Sequence, residues 1–186
     1  MILSKADKVL REIEKVASTV GELLPIVGRE KGALLERLVK REKPKHVLEI
    51  GTLVGYSSIM MAKNMKGKIT SIETIKKNHE AAKLNIERAG LSNRIRLLHG
   101  DALKIIPELE GPFGLVFIDG KKSDYLKYLS AAEPIMSKNA WVVADNAKRF
   151  AKDMNDFLEY VRRSGLYNSE LHDFGADGME VSRRIR

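Results

Sequence analysis

The sequence predicts an α/β protein: a doubly wound sheet of five parallel strands plus an antiparallel C-terminal hairpin, with two N-terminal helices in front. Three observations carry that expectation. From about residue 44 onward, short apolar runs alternate with amphipathic helical stretches, the pattern of strands joined by crossover helices. Two of the runs, Phe113-Gly114-Leu115-Val116-Phe117-Ile118-Asp119 and Trp141-Val142-Val143-Ala144-Asp145-Asn146, finish on carboxylates, which places acid at the strand ends where open sheets bind ligands. The tail offers two strand-like segments with Gly175 and Gly178 between them, which reads as a hairpin.

Taken in order, the chain opens with Val9, Leu10, Ile13, Val16, Ala17, Val20, Leu23 and Leu24, spaced as one apolar helical stripe that Pro25 ends. A second helix, Arg29 to Arg41, places Ala33, Leu34, Leu35 and Leu38 on one face. The first strand, Val47 to Ile50, runs into a glycine turn and a helix from Ser57 to Met65. The second strand, Lys68 to Ile72, ends in Glu73 and precedes a helix from Lys76 to Ala89. The third, Arg94 to His99, ends in Gly100-Asp101-Ala102 and a short helix to Pro107. Helices from Ser123 to Ala132 and from Phe150 to Arg163 follow the strands that end at Asp119 and Asn146, and the hairpin pairs 166–173 with 179–185. Helical crossovers make the first five strands parallel. The whole chain, 1–186, reads as a single domain, with 1–43 a helical cap and 44–186 the core; 44% hydrophobic residues suit one compact unit.

Composition excludes several chemistries. There is no cysteine, so disulfides, thiolate zinc sites and a cysteine nucleophile are unavailable. His46, His79, His99 and His172 lack paired ligand spacing, which speaks against zinc. No run approaches the ~20 apolar residues of a membrane span, and the opening Met1-Ile2-Leu3-Ser4-Lys5 lacks a signal-peptide core, so a cytoplasmic protein with no membrane partner is expected. The net charge of +8 admits a polyanionic partner and also an ordinary solvated surface.

The strand ends carry the chemistry. In Glu49-Ile50-Gly51-Thr52-Leu53-Val54-Gly55-Tyr56-Ser57 the glycines permit a tight turn, and the helix that follows offers free N–H groups to an anion. The spacing lacks the third glycine of a dinucleotide fingerprint, so a nicotinamide enzyme is poorly supported. About 20 residues further on, Glu73 is placed to take two ribose hydroxyls. Asp101 could accept from an adenine amino group. Asp119, Asp145 and Asn146, on neighbouring strands, would converge as three oxygen donors for a hard cation such as Mg²⁺. Any one such Asp is as readily a helix cap.

The ordered set Glu49-x-Gly51-Thr52-x-x-Gly55-Tyr56-Ser57, Glu73, Gly100-Asp101-Ala102, Ile118-Asp119-Gly120-Lys121-Lys122 and Ala144-Asp145-Asn146 resembles the cation-dependent O-methyltransferases, typified by the catechol and caffeoyl-coenzyme A enzymes. The resemblance covers most of the chain, from Val27-Gly28 to Asp177-Gly178-Met179-Glu180. It implies a class I, Rossmann-like methyltransferase that uses S-adenosylmethionine (SAM) as methyl donor. The donor's methionine carboxylate would lie near Ser57 and Val27, its ribose on Glu73 and its adenine near Asp101 and Ala102, with Glu49, Gly51, Thr52, Gly55 and Asp119 completing that pocket. It implies a divalent cation, Mg²⁺ foremost, on Asp119, Asp145 and Asn146, with Lys122 as the base. A small-molecule hydroxyl substrate of catechol type is the expected acceptor, and a homodimer the expected assembly. A hydroxyl of a modified tRNA nucleoside is the alternative, since Lys40 to Lys45, Arg162-Arg163 and Arg183-Arg184-Arg186 could grip phosphates.

Four aromatic or imidazole side chains stand near these motifs: His99 is structural or lines the adenine pocket; Trp141 is core before pocket wall; Tyr125 and Tyr128 pack or line the substrate mouth. The chain departs from the resembled enzymes on the substrate side. Leu23-Leu24-Pro25-Ile26 and Gly120-Lys121 stand where catechol enzymes have aromatic and Met gatekeepers, and Glu170 is near, though not at, the place of an acidic substrate partner.

Overall fold

The computed structural model describes residues 3–186; Met1 and Ile2, at the start of the N-terminal stretch read as lacking a signal-peptide core, lie outside the described residues. Helix α1 (Lys5–Val20) starts on Ser4, whose hydroxyl accepts from the Asp7 N–H at 3.1 Å. It ends earlier than the apolar stripe suggested: Gly21, at φ +58°, stops it, and Gly21–Leu23 forms a single 3₁₀ turn. Helix α2 spans Gly28–Glu42. Then follow β1 (His46–Ile50), α3 (Tyr56–Ala62), β2 (Lys68–Glu73), α4 (Lys76–Arg88), β3 (Ile95–His99), the one-turn α5 (Ala102–Ile105), β4 (Phe113–Ile118), α6 (Tyr125–Ala132), β5 (Met136–Ala144), α7 (Asn155–Arg163), β6 (Tyr167–Asp173) and β7 (Gly178–Arg184).

The strands form one seven-stranded sheet in the order β3-β2-β1-β4-β5-β7-β6. The first five are parallel; β7 pairs antiparallel with both β5 and β6. Chain order reverses between β1 and β4, the switch point where such sheets open a crevice at their C-terminal edge.

Alternation along the strands supplies two cores. Val47, Leu115, Phe117, Val143 and Val181 face α1 to α4, while Leu48, Ile50, Val116, Ile118, Val142 and Ala144 face α5 to α7. Both faces being covered explains why these strands read as unbroken apolar runs. The first half of the α1 stripe, Ala6, Val9, Leu10 and Ile13, is buried on that first face; Val16, Val20 and Leu23 are exposed.

The start of α7 also differs from expectation. The helix expected from Phe150 begins at Asn155, and residues 146–154 are a series of turns that starts at Asn146, φ +64°. Asn tolerates that left-handed conformation, which sends the chain back across the strand end before a helix can form.

Candidate active site

Backbone bonds carry the parallel ladder one residue past each strand. Gly51 N–H donates to Ile72 O, Gly100 to Glu73 O, Asp119 to Ile50 O and Asp145 to Ile118 O, at 2.8–3.0 Å. That shared register sets Glu73, Asp119 and Asp145 along one edge of the sheet. A cleft of about 1040 Å³ opens there, lined among others by Val27, Gly51, Thr52, Ser57, Glu73, Asp101, Ala102, Asp119, Lys122, Asp145 and Asn146. A space of that size suits a cofactor-sized ligand with a small acceptor beside it.

On its β1–β2 side, the Glu73 carboxylate accepts from three backbone N–H groups: Thr52 at 3.2 Å, Leu53 at 2.8 Å and Ile75 at 2.8 Å. It ties the glycine turn to the end of β2. A carboxylate offers about four acceptor positions, so it retains capacity for a ligand hydroxyl. Glu49 is fully buried behind the turn and does not line the cleft; it accepts from the Ser58 and Ser71 hydroxyls, and Ser71 in turn meets Thr52 Oγ1. Burial pushes the Glu49 carboxyl above its ordinary range, and Oε1 has no hydrogen-bond partner. Gly55 likewise stays out of the lining; at φ +86° it starts α3 and packs on Ala82. Asp101 caps α5, accepting from Leu103 N–H at 3.0 Å through Oδ1, which commits part of its acceptor capacity to the helix.

On the β4–β5 side the charges are dense. Lys122 Nζ donates to Asp119 Oδ1 at 2.9 Å and to the buried Tyr125 Oη at 2.8 Å, and Tyr125 Oη reaches Asp145 O at 3.3 Å. Burial, with the Asp145 charge adding to it and Lys122 opposing, pushes the Asp119 carboxyl up to about 7. Burial also raises Asp145, against the pull of Lys31. Lys31 and Asp177 belong to this cluster and were not singled out in the sequence. Lys31 Nζ lies 2.6 Å from Asp177 Oδ2 and 2.7 Å from Asp145 Oδ1, the latter contact falling outside hydrogen-bond alignment. Burial works against the Lys31 charge, but Asp145 and Asp177 overcome it and hold its pKa above the ordinary value. Asp177 also accepts from Asn146 Nδ2 at 2.5 Å and from the Arg149 and Gly178 N–H groups; against its partial burial, these donors and Lys31 hold it down to about 2. The only forewarning of Asp177 was its place beside Gly178 in the late loop. Lys31 gave none, since a lysine on a helix reads as solvated.

The donor set fits a divalent cation. Asp119 and Asp145 are carboxylates raised by burial, and the Asn146 amide, with its nitrogen committed to Asp177, presents its carbonyl oxygen. Among the described residues no group of three or more His, Cys, Asp and Glu has metal-holding geometry; the set here is two carboxylates and an amide.

Other expectations are corrected. Trp141 is no part of this cleft. It lies on the α2 side of the sheet between Arg41 and Arg183, whose guanidinium carbons are 5.2 and 5.6 Å from its ring centroid. His99 is exposed and stacks near His79, centroids 5.3 Å apart, also outside the cleft. Tyr128 lines the cleft, while Tyr125 is core with its hydroxyl at the edge. Glu170 faces the Trp141 groove, so the late-loop acid of the cleft is Asp177. Part of the basic surface is ion-paired: Arg162 with the fully buried Glu180 and, out on the surface, Arg163 with Glu159, Lys40 with Glu36 and Arg41 with Glu42. Among the described residues no helix is long and apolar enough to cross a membrane.

Comparison with known proteins agrees with this geometry. Residues 2–163 match the family model described as O-methyltransferase. Catechol O-methyltransferase of Niastella koreensis is 35% identical over 78% of this chain and 69% of its own length; that of Mycobacterium tuberculosis is 37% identical over 72% and 62%. This chain thus spans about two thirds of those relatives. Among solved structures, the O-methyltransferase of Bacillus cereus in complex with SAH superposes with a TM-score of 0.86 at 25% identity, covering 96% of this chain and 91% of that one. TomG of Streptomyces achromogenes, an O-methyltransferase of tomaymycin synthesis in complex with SAM, gives 0.82 at 26%, covering 100% and 93%. A sheet-edge cleft with acids at the ends of β2, β3, β4 and β5, and a family match over most of its length, make this chain a member of the O-methyltransferase family.

Proposed function

We propose that the protein is a cation-dependent O-methyltransferase that moves the methyl group of SAM to a hydroxyl of a catechol-like small molecule. The observation that carries this reading is that Glu73 and the Asp119, Asp145, Asn146 group line two ends of one cleft. The Glu73 end takes the donor: its carboxylate accepts from ribose hydroxyls, while Val27 and Ser57 flank the methionine portion. Asp119, Asp145 and Asn146 hold the cation, Mg²⁺ by the hardness of its donors. When bound, the cation supplies acidity and orientation to a coordinated hydroxyl, and a vicinal second oxygen makes the acceptor a chelate.

Lys122 lines the same cleft beside Asp119. Held by Asp119 and by Tyr125 Oη, it would, in its neutral form, take the proton that the acceptor hydroxyl loses. The oxygen then attacks the sulfonium methyl, forming the new C–O bond as the C–S bond breaks. Alignment of the two reactants is the chain's main contribution, worth up to about 7–11 kcal/mol for ideal geometry. Arg162, Arg163, Lys40 and Arg41 each have a carboxylate partner, and no observation specifically favours the RNA alternative.

The test compares acceptors with one and two oxygens. With methyl-labelled SAM and Mg²⁺, catechol-type vicinal diols should be methylated and matched monophenols should not. Equal labelling of both would contradict chelation as the basis of acceptor choice.

A further inference from the structure

Lys31 is a charged side chain only 13% exposed, set in the first turn of α2, where the helix dipole disfavours a cation. It is held there by two carboxylates, Asp177 Oδ2 at 2.6 Å and Asp145 Oδ1 at 2.7 Å. Asp145 is 3% exposed and carries no hydrogen bond on Oδ1, so Lys31 is the charge that compensates that oxygen. Through Asp177 the same contact reaches Asn146 and the turn at Arg149.

We propose that Lys31 is a resident counter-cation of the metal site: a positioning residue that keeps Asp145, Asp177 and Asn146 assembled when no divalent ion is bound, and that competes with the ion for Asp145. This rests on the cation reading of the cleft. Buried carboxylates without a cation repel each other and resist ionising. The ammonium removes that penalty in the empty site, and the divalent ion then meets a preformed donor set that is already partly neutralised. The site is thereby ordered before loading and binds its ion more weakly than its carboxylates alone would. The first turn of α2, next to Val27 on the donor side, is fastened to the metal side by the same residue.

The experiment is Mn²⁺ binding by calorimetry to the full chain and to its Lys31→Met and Lys31→Arg variants, with melting temperatures in EDTA and in Mn²⁺. A charge this close to a ligand oxygen should weaken cation binding by about tenfold or more. Lys31→Met should therefore bind Mn²⁺ at least about tenfold more tightly, melt lower in EDTA, and gain more from Mn²⁺ than the unsubstituted protein. Lys31→Arg should restore the unsubstituted affinity. Equal or weaker Mn²⁺ binding by Lys31→Met would overturn the proposal, as would failure of that variant to fold in Mn²⁺ as well as in EDTA. An unsubstituted protein that binds no Mn²⁺ would overturn the cation reading itself, and this role with it.

Discussion

Gly51 and Asp119 meet backbone to backbone: a Cβ on Gly51 would stand 2.2 Å from the Asp119 carbonyl oxygen. The glycine turn after β1 and the backbone at Asp119 are therefore built against each other, across the β1–β4 switch point. Gly51 also has φ +92°, a conformation side chains resist. Gly51→Ala should lower stability by about 2–5 kcal/mol, combining backbone strain with overpacking, and should displace Asp119. Urea unfolding measures the first effect; a variant as stable as the unsubstituted protein would contradict the close approach.

Glu73 has two tasks, and its loss should register in both. Glu73→Ala leaves the Thr52, Leu53 and Ile75 N–H groups without their acceptor and removes the proposed ribose partner. Donor affinity, read by calorimetry with S-adenosylhomocysteine, should fall by about 1–3 kcal/mol, accompanied by a lower melting temperature. Unchanged donor affinity would remove Glu73 from the donor site.

For Lys122→Met, turnover at neutral pH should fall by about 10²–10⁴-fold with donor binding retained, the usual cost of losing a general base. The deficit should shrink as pH rises, because an acceptor hydroxyl that ionises unaided no longer needs the amine. A pH–rate profile parallel to that of the unsubstituted protein would show that Lys122 only positions the acceptor.

The parts of the fold legible in the sequence are those set by local pattern. Strands buried on both faces show as apolar runs, and the residue that ends each run sits at the ligand edge by the geometry of a parallel sheet, so Glu73, Asp119 and Asp145 could be named in advance. What stayed hidden depends on partners far away in the chain. Lys31 meets Asp177 across 146 positions, and nothing local marks it as buried. Trp141, read as core before pocket wall, does pack partly buried against the first core, but its exposed side meets Arg41 and Arg183, which the local pattern does not show. Asp101 shows the limit of strand-end acids as a signal, since one of its oxygens is spent on capping. Residues 150–154 looked helical because composition does not reveal the left-handed turn at Asn146.

The central claim, that Asp119, Asp145 and Asn146 hold a cation on which methyl transfer depends, is tested most directly by the rate of label transfer from SAM to a catechol as Mg²⁺ is titrated into EDTA-stripped protein, with Asp145→Asn alongside. The account predicts no transfer before Mg²⁺ is added, a saturable rise as it is added, and no rise for Asp145→Asn even though that variant binds S-adenosylhomocysteine as the unsubstituted protein does. Full transfer by the unsubstituted protein in EDTA would contradict it.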